Sequence, residues 1–222
     1  MSPAYFLTGT DTEVGKTFVT CALLHRAARD GLKAAGLKPV AAGTDDSGKN
    51  EDVEQILAAS NVPLPREVVN PYCFTAAIAP HIAAAEEGRH IDFAVIKAAC
   101  HEAVAAADLV IIEGAGGFRI PLGADGDSAD LAVALGWPVI LVVGMRLGSI
   151  SHALLTAEAI VGRGLPLAGW VANRIDPAMS CFAENLATLQ NLLPAPLLGV
   201  VPHAPPDGAA GAACFLSLPV GP

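Results

Sequence analysis

Short aliphatic runs alternate along this chain with longer alanine-rich segments, and this alternation constrains the fold more than any other feature. The runs at 109–112 and 139–143 are continuously aliphatic, which is typical of central strands buried on both faces of a parallel sheet. The pattern therefore predicts the α/β class: a single-domain, mostly parallel β-sheet flanked by helices. Further strands are predicted at 5–8, 34–38, 167–172 and 197–201, and helices at 16–30, 51–59, 92–107, 151–162 and 181–192.

Composition narrows the classes of function. The 222 residues are 53% hydrophobic and only 16% charged, which excludes a disordered chain. Thirteen Lys and Arg against 22 Asp and Glu give a formal charge of −9, so we expect neither nucleic acid nor an anionic membrane surface as a partner. No basic segment precedes the apolar stretch at 1–8, and no run predicts a membrane span.

The five cysteines are odd in number, widely spaced and never arranged as Cys-x-x-Cys. We expect reduced thiols that serve as small core residues in a cytoplasmic protein. Two stretches lack a regular pattern: residues 61–80 are interrupted by prolines and are predicted to be irregular, and the Gly/Ala/Pro-rich tail after Pro205 is predicted to be loosely held.

The strongest motif, GTDTEVGKT, runs from Gly9 to Thr17, directly after the first predicted strand and at the start of the first predicted helix. Glycines let backbone N–H groups turn toward a phosphate, and the helix N-terminus adds partial positive charge. Lys16 would reach the terminal phosphates, and the Thr17 hydroxyl would bind Mg²⁺. An ordinary strand-to-helix turn is the simpler alternative, but the position after a buried strand favours a phosphate loop.

A second glycine-rich cluster, Glu113 to Gly117, follows the predicted strand at 109–112. A carboxylate there can face the phosphate loop and hold Mg²⁺, directly or through water. A dinucleotide-binding turn is the competing interpretation, but the third glycine is missing and no clear helix follows. Lys38, at the end of the second strand, would bring another cation to the γ-phosphate or else is an ordinary surface lysine. Asp52, at the start of the next helix, is a further candidate Mg²⁺ ligand or else a solvated helix-start carboxylate.

With these pieces in place the chain resembles the dethiobiotin synthetases over nearly its whole length. The specific signature is TGTDTEVGKT at 8–17. The other shared segments are GLKPVA at 36–41, VNPY at 69–72, PH at 80–81, EGAGG at 113–117, PVILVVG at 138–144, LAGWVAN at 167–173 and PAPLLG at 194–199.

The resemblance implies a ligase of biotin biosynthesis that uses ATP and Mg²⁺ as cofactors. From 7,8-diaminononanoate and CO₂ it would close the ureido ring of dethiobiotin through an N-carbamate and a carbamic–phosphoric anhydride, releasing ADP and phosphate. It also implies a homodimer whose substrate site is shared across the interface.

The resemblance assigns roles residue by residue. Lys38 and Lys16 are the catalytic lysines, and the Mg²⁺ ligands are Thr17, Asp52 and Glu113. The implied nucleotide-binding residues are Glu13, Val14, Gly15, Lys16, Thr17, Phe18, Asp52, Glu113, Gly114, Ala115, Gly116, Asn173, Pro202, His203 and Asp207. The implied substrate-binding residues are Thr12, Lys38, Ala42 and Pro80, with Leu147, Gly148, Ser149 and Ser151 contributed by the partner subunit.

Two positions depart from the resemblance, and two other functions compete with it. Ala42 stands where several relatives have a hydroxyl residue and Ser151 where some have Asn, so substrate binding should weaken by about 1 kcal/mol. A nucleotide-switched ATPase that uses hydrolysis as a timer would carry the same phosphate loop. A cobyrinate-type amidotransferase domain would share it too, but none of the cysteines fits its glutaminase nucleophile.

Overall fold

The computed structural model describes residues 3–219. Its strands are β1 Ala4–Gly9, β2 Ala34–Leu37, β3 Val40–Ala42, β4 Tyr72–Phe74, β5 Leu109–Gly117, β6 Pro121–Gly123, β7 Gly126–Asp127, β8 Val139–Gly144, β9 Leu167–Asn173 and β10 Leu197–Val201. Its helices are α1 Lys16–Arg29, α2 Glu51–Ala59, α3 Arg66–Val69, α4 Pro80–Glu86, α5 Phe93–Ala106, α6 Ser128–Leu135, α7 Ser149–Gly162, α8 Phe182–Leu192 and α9 Gly208–Ala212, followed by a 3₁₀ turn at Ala213–Phe215.

Six strands form a parallel sheet in the order β10-β9-β8-β1-β5-β2. Alternate side chains enter separate apolar layers on its two faces: Phe6 and Ile112 lie in one, Leu7 and Ile111 in the other. The aliphatic run of β8 is completely buried. The predicted fold class is therefore confirmed, and the carboxyl ends of all six strands meet at one edge, where such sheets bind ligands.

The predicted helices are largely confirmed, and their ends have local causes. Helix α1 ends at Arg29, and Gly31 follows it with φ +81°, a conformation that glycine adopts without strain. Asp92 caps α5 as predicted, accepting a hydrogen bond of 2.6 Å from the Ala94 N–H. Helix α7 begins at Ser149, two residues before the predicted start.

The prediction of an irregular segment at 61–80 was wrong in part. It holds α3 and the short strand β4, which pairs in parallel with β3 in a separate two-stranded sheet. Strands of three residues lack a periodic pattern and form because a partner strand lies beside them. The sequence also missed α6, whose N-terminus carries a capping box in which Asp127 and Asp130 each accept a hydrogen bond from the other's backbone N–H.

The prediction of a loosely held tail was also wrong for the residues described. Helix α9 and the 3₁₀ turn pack against α1, with Ala212 and Leu216 buried. The Arg26 guanidinium donates to the Leu216 carbonyl at 2.6 Å, and that of Arg29 donates to the Ala210 carbonyl at 2.7 Å. An alanine-rich sequence shows no clear hydrophobic periodicity, so the sequence did not indicate that this segment docks. The docking depends on the apolar surface that α1 presents.

The cysteines are free thiols, as predicted, but they are not all core residues. Cys21 and Cys100 are buried and Cys73 is partly buried, whereas Cys181 and Cys214 are exposed, at the start of α8 and in the 3₁₀ turn. Across residues 3–219, none of the helices combines the length and the apolarity that crossing a membrane requires.

Candidate active site

The phosphate loop, residues 10–15, joins β1 to α1 at the carboxyl edge of the sheet. Gly15 has φ +83°, and a Cβ at this position would come within 2.2 Å of the Asn173 amide nitrogen. That nitrogen, at the end of β9, donates to the Val14 carbonyl at 2.9 Å. The positive φ favours glycine at this position, and the Asn173 hydrogen bond fastens the loop to a strand that lies two positions away in the sheet.

Lys16 opens α1 and is 7% exposed. Its ammonium donates to the Asp11 backbone carbonyl at 3.0 Å, and the Asp11 carboxylate pairs with Arg146 at 2.7 Å. Burial lowers the pKa of Lys16 to about 8, with Glu113 acting in the opposite direction. An anionic phosphate in the loop would offer this buried ammonium the charge partner that the carbonyl cannot supply.

Glu113, at the middle of β5, organises the centre of the site and is 1% exposed. Its Oε1 accepts hydrogen bonds from the Thr17 hydroxyl at 2.7 Å and the Lys38 ammonium at 2.6 Å, and its Oε2 accepts one from the Thr20 hydroxyl at 2.8 Å. Lys38 reaches Glu113 because β2 pairs with β5 in a register that sets Leu37 opposite Ile112. The residues that follow this pair along the two strands, Lys38 and Glu113, are therefore brought side by side.

Lys38 also pairs with Asp52 of α2, with 2.5 Å between Nζ and Oδ2. Burial alone would lower the pKa of Lys38, but the attraction of Glu113 and Asp52 outweighs it and raises that pKa above its ordinary value. Burial likewise opposes ionisation of Asp52, and Lys38 reverses the effect, so that the pKa of Asp52 is lowered. The site therefore favours a charged Lys38 ammonium between Glu113 and Asp52.

Two adjoining cavities lie over this cluster. One, of about 340 Å³, is lined by Thr12, Glu13, Gly15, Lys16, Thr17, Phe18, Lys38, Asp52, Gln55 and Gly116. The other, of about 580 Å³, is lined by Thr12, Glu13, Lys38, Val40, Ala41, Ala42, Asn50, Asp52, Ala77, Ile78, Ala79, Pro80, Ala115, Gly116 and Ile120. The first brings together both lysines and most residues expected at the phosphates, and the second brings together Thr12, Lys38, Ala42 and Pro80, which were expected at the substrate.

A third groove, of about 290 Å³, gathers three of the residues expected at the base, Asn173, Pro202 and His203. Phe18 connects it to the phosphate cavity, since it lines both. Asp207 does not line this groove: it precedes α9 with φ +58° and belongs to the segment docked on α1. The role expected for Asp207 therefore stays a prediction.

Several residues that were expected at the site have no side chain in the two cavities beside Lys38. The Val14 side chain is buried in the core, so only its backbone can face a nucleotide. Gly114 lies within β5, where a Cβ would come within 3.0 Å of the Phe6 ring. The β8–α7 segment leaves Leu147 93% exposed, and neither Leu147, Gly148, Ser149 nor Ser151 lines the two cavities beside Lys38.

The donor set suits Mg²⁺, a hard cation that prefers oxygen ligands. Thr17 offers a hydroxyl and Asp52 a carboxylate to the cavity of about 340 Å³. The Glu113 carboxylate lies behind them: it is fully buried, lines neither cavity beside Lys38 and accepts hydrogen bonds from Thr17, Thr20 and Lys38. Within residues 3–219, no cluster of three His, Cys, Asp or Glu side chains is placed to hold a metal. Mg²⁺ is usually held by one or two carboxylates together with substrate phosphates.

Sequence reasoning missed several residues at this site. Thr20 and Asn50 fall in no motif, and the Asn50 amide donates to the Gly43 carbonyl at 2.7 Å while its oxygen caps α2. Arg146 was not singled out either. An Asn immediately before the predicted helix at 51–59 was the one available signal, since Asn favours the N-cap.

A parallel sheet with a glycine-containing loop between β1 and α1, and with a lysine and a threonine opening that helix, defines the P-loop NTPase class. Solved structures agree on the fold. The septum site-determining protein MinD of Pyrococcus horikoshii, complexed with Mg-ADP, matches with a TM-score of 0.60 at 16% identity over 96% of this chain and 86% of that one. The MinC:MinD complex of Aquifex aeolicus matches at 0.57 and 14% identity, over 99% of both chains.

Sequence comparison identifies the family within that class. A family profile described as an AAA domain (AAA_26) matches residues 3–209. The chain is 60% identical over 219 residues, 97% of each sequence, to the ATP-dependent dethiobiotin synthetase BioD of Aromatoleum aromaticum. The chain belongs to the dethiobiotin synthetase family, and the resemblance noted from its motifs is confirmed.

Proposed function

We propose that this protein is a Mg-ATP-dependent ligase of biotin biosynthesis that makes dethiobiotin from 7,8-diaminononanoate and CO₂. One observation carries the proposal beyond family membership: the Lys16 and Lys38 side chains line the same cavity, together with Thr17 and Asp52. Two cations and a set of oxygen ligands around one space are what a triphosphate requires. The whole chain, residues 1–222, acts in this proposal as one ATP-binding domain in the cytoplasm.

The chemistry that we propose is the one that the family resemblance implies. One substrate amine adds to CO₂ and loses a proton, giving a carbamate. A carbamate oxygen attacks the γ-phosphorus, the bond to the ADP oxygen breaks, and a carbamic–phosphoric anhydride forms. The second amine then attacks the carbonyl carbon and expels phosphate, which closes the ureido ring.

The protein's part is positioning and charge stabilisation, because phosphoryl transfer spreads negative charge over the transferred group. Lys16 neutralises the terminal phosphates from the loop side, and Lys38 faces the larger cavity as well, where it can contact both the carbamate and the γ-phosphate. Thr17, Asp52 and Glu113 would hold Mg²⁺, which supplies further neutralisation between the phosphates. Asn173, Pro202 and His203 would receive the base.

The test is phosphate release by the purified protein. Release from Mg-ATP that requires both diaminononanoate and bicarbonate, with dethiobiotin formed in equal amount, supports the ligase. Equal release without these substrates would instead indicate an ATPase that uses hydrolysis as a timer. A Lys97→Met variant, which is altered on α5 away from both cavities, is the matched control. It should release phosphate like the wild-type protein, and it reveals any activity that is lost during purification.

We also propose a homodimer in which the β8–α7 segment of the partner completes the substrate site. Leu147 is 93% exposed and Leu155, on α7, is 63% exposed. A second copy would cover both. Backbone amides at the start of α7 can receive a carboxylate there. Sedimentation should show a dimer, and a fully active monomer would contradict the shared site.

A further inference from the structure

Thr20 lies one turn beyond Thr17 on α1 and is completely buried. Its hydroxyl donates to Oε2 of Glu113 at 2.8 Å, across 93 positions of sequence. No motif includes this residue, and it lines neither cavity beside Lys38. Its one side-chain hydrogen bond is therefore directed at the carboxylate at the centre of the site.

This geometry is unusual for a helical threonine, whose hydroxyl commonly bonds the carbonyl four residues earlier. Two other helical threonines follow that rule: Thr156 donates to the His152 carbonyl at 2.7 Å, and Thr188 to the Glu184 carbonyl at 2.8 Å. Thr20 instead forms a charge-assisted bond with a buried carboxylate, which is the stronger kind.

The bond fixes the orientation of Glu113. The terminal torsion of a glutamate is broad, so its carboxylate plane needs external partners to hold it. Thr20 holds Oε2, which leaves Oε1 facing both Thr17 and Lys38. Without the Thr20 hydroxyl, Oε2 would have no partner in a buried position, and the carboxylate would rotate to share Thr17 or Lys38 between its oxygens.

We propose that Thr20 is a positioning residue that sets the orientation of Glu113, and through it that of Thr17 and Lys38, for the Mg²⁺–nucleotide complex. The inference rests on the proposed function, because it assigns Thr17 and Glu113 to that complex. Thr20 itself touches neither metal nor nucleotide. Partners that orient metal ligands in this way typically change metal affinity or activity by about 10- to 100-fold when they are removed.

The experiment compares Thr20→Val, which keeps the shape and removes the hydroxyl, with Thr20→Ser, which keeps the hydroxyl. Calorimetry measures binding of a non-hydrolysable ATP analogue across a Mg²⁺ titration, without turnover. We expect Thr20→Val to raise the Mg²⁺ concentration for half-maximal effect by about 10-fold and Thr20→Ser to restore it nearly to the wild-type value. Thr188→Val is the matched control, and it should behave as wild type.

Wild-type Mg²⁺ dependence in Thr20→Val, or equal losses in Thr20→Val and Thr20→Ser, would overturn the proposal, because the hydroxyl would then have no positioning role. If Thr20→Val does not unfold cooperatively, Thr20→Ala takes the same measurement, since it removes the hydroxyl without a branched side chain. The proposed function fails separately: a wild-type protein whose nucleotide binding ignores Mg²⁺ would refute the metal assignment whatever the variants do.

Discussion

Replacing Lys38 with methionine tests the centre of the site, because it removes the ammonium and keeps most of the side-chain volume. Lys38 is 6% exposed and lies 2.6 Å from Glu113 and 2.5 Å from Asp52. The Asp52 side chain is 41% exposed and can be solvated, whereas that of Glu113 is fully buried. The free-energy cost of removing the ammonium therefore arises mainly at Glu113, whose remaining hydrogen-bond donors are the hydroxyls of Thr17 and Thr20.

The expected magnitude follows from that difference. Breaking a buried ion pair by removing one partner costs about 3–5 kcal/mol of unfolding free energy, and the hydroxyl bonds that remain place the expected cost near the lower end, at about 3 kcal/mol. In a protein of this size, each kcal/mol shifts Tm by about 2–4 °C, so Tm should fall by about 6–12 °C. Adding Glu113→Gln, which removes the unpaired charge, should recover much of the loss.

The assays separate stability from chemistry. Thermal and urea unfolding give the free energy, and dethiobiotin formation below the melting temperature gives turnover, which should fall by orders of magnitude while nucleotide binding changes little. Lys33→Met, at an exposed position before β2, is the control and should change neither. A Tm within about 2 °C of the wild-type value, or normal turnover in Lys38→Met, would refute the reasoning.

Three further predictions concern the phosphate loop and the tail. Gly15→Ala should abolish nucleotide binding, because the new Cβ would meet the Asn173 amide at 2.2 Å. Gly31→Ala is the control: it has a similar φ of +81° but open space around it, so it should cost only the backbone strain of about 1 kcal/mol. Equal nucleotide binding by the two variants in a fluorescent-nucleotide titration would contradict this prediction. Because burial lowers the pKa of Lys16 to about 8, the free ammonium loses its proton as pH rises through that value, and a bound triphosphate favours the charged form. Nucleotide binding at about pH 9 should therefore take up a proton in calorimetry across several buffers, and none would be seen if Lys16 stayed charged. Arg26→Ala removes the 2.6 Å bond to the Leu216 carbonyl, so it should destabilise the protein by about 1 kcal/mol and speed the limited proteolysis of residues 207–219. An unchanged rate of proteolysis would contradict this and assign the docking to apolar contacts alone.

The sequence predicted the strands that are continuously aliphatic and the loop whose chemistry is local. Both can be recognised from a few neighbouring residues. A continuous hydrophobic run indicates a buried strand, and a glycine followed by Lys16 and Thr17 indicates a phosphate loop that leads into a helix. The sequence also predicted Lys38 and Glu113 at the ends of two strands, although β5 continues to Gly117 and holds Glu113 at its middle. It did not predict the β3–β4 pair or the docked tail, because these form through partners distant in sequence. It missed α6 as well, although the capping-box pair of that helix, Asp127 and Asp130, lies within the local sequence.

The sequence by itself determined the class of fold, the phosphate loop and the family, because each can be recognised from short contiguous segments of the chain. Only the tertiary structure decided which side chains meet. Lys38 contacts Glu113 because β2 lies beside β5 in one particular register, and Thr20 reaches the same carboxylate because α1 packs over that strand. A one-residue shift of a strand turns its side chains to the other face, so a site built across strands is specified by packing rather than by any local motif.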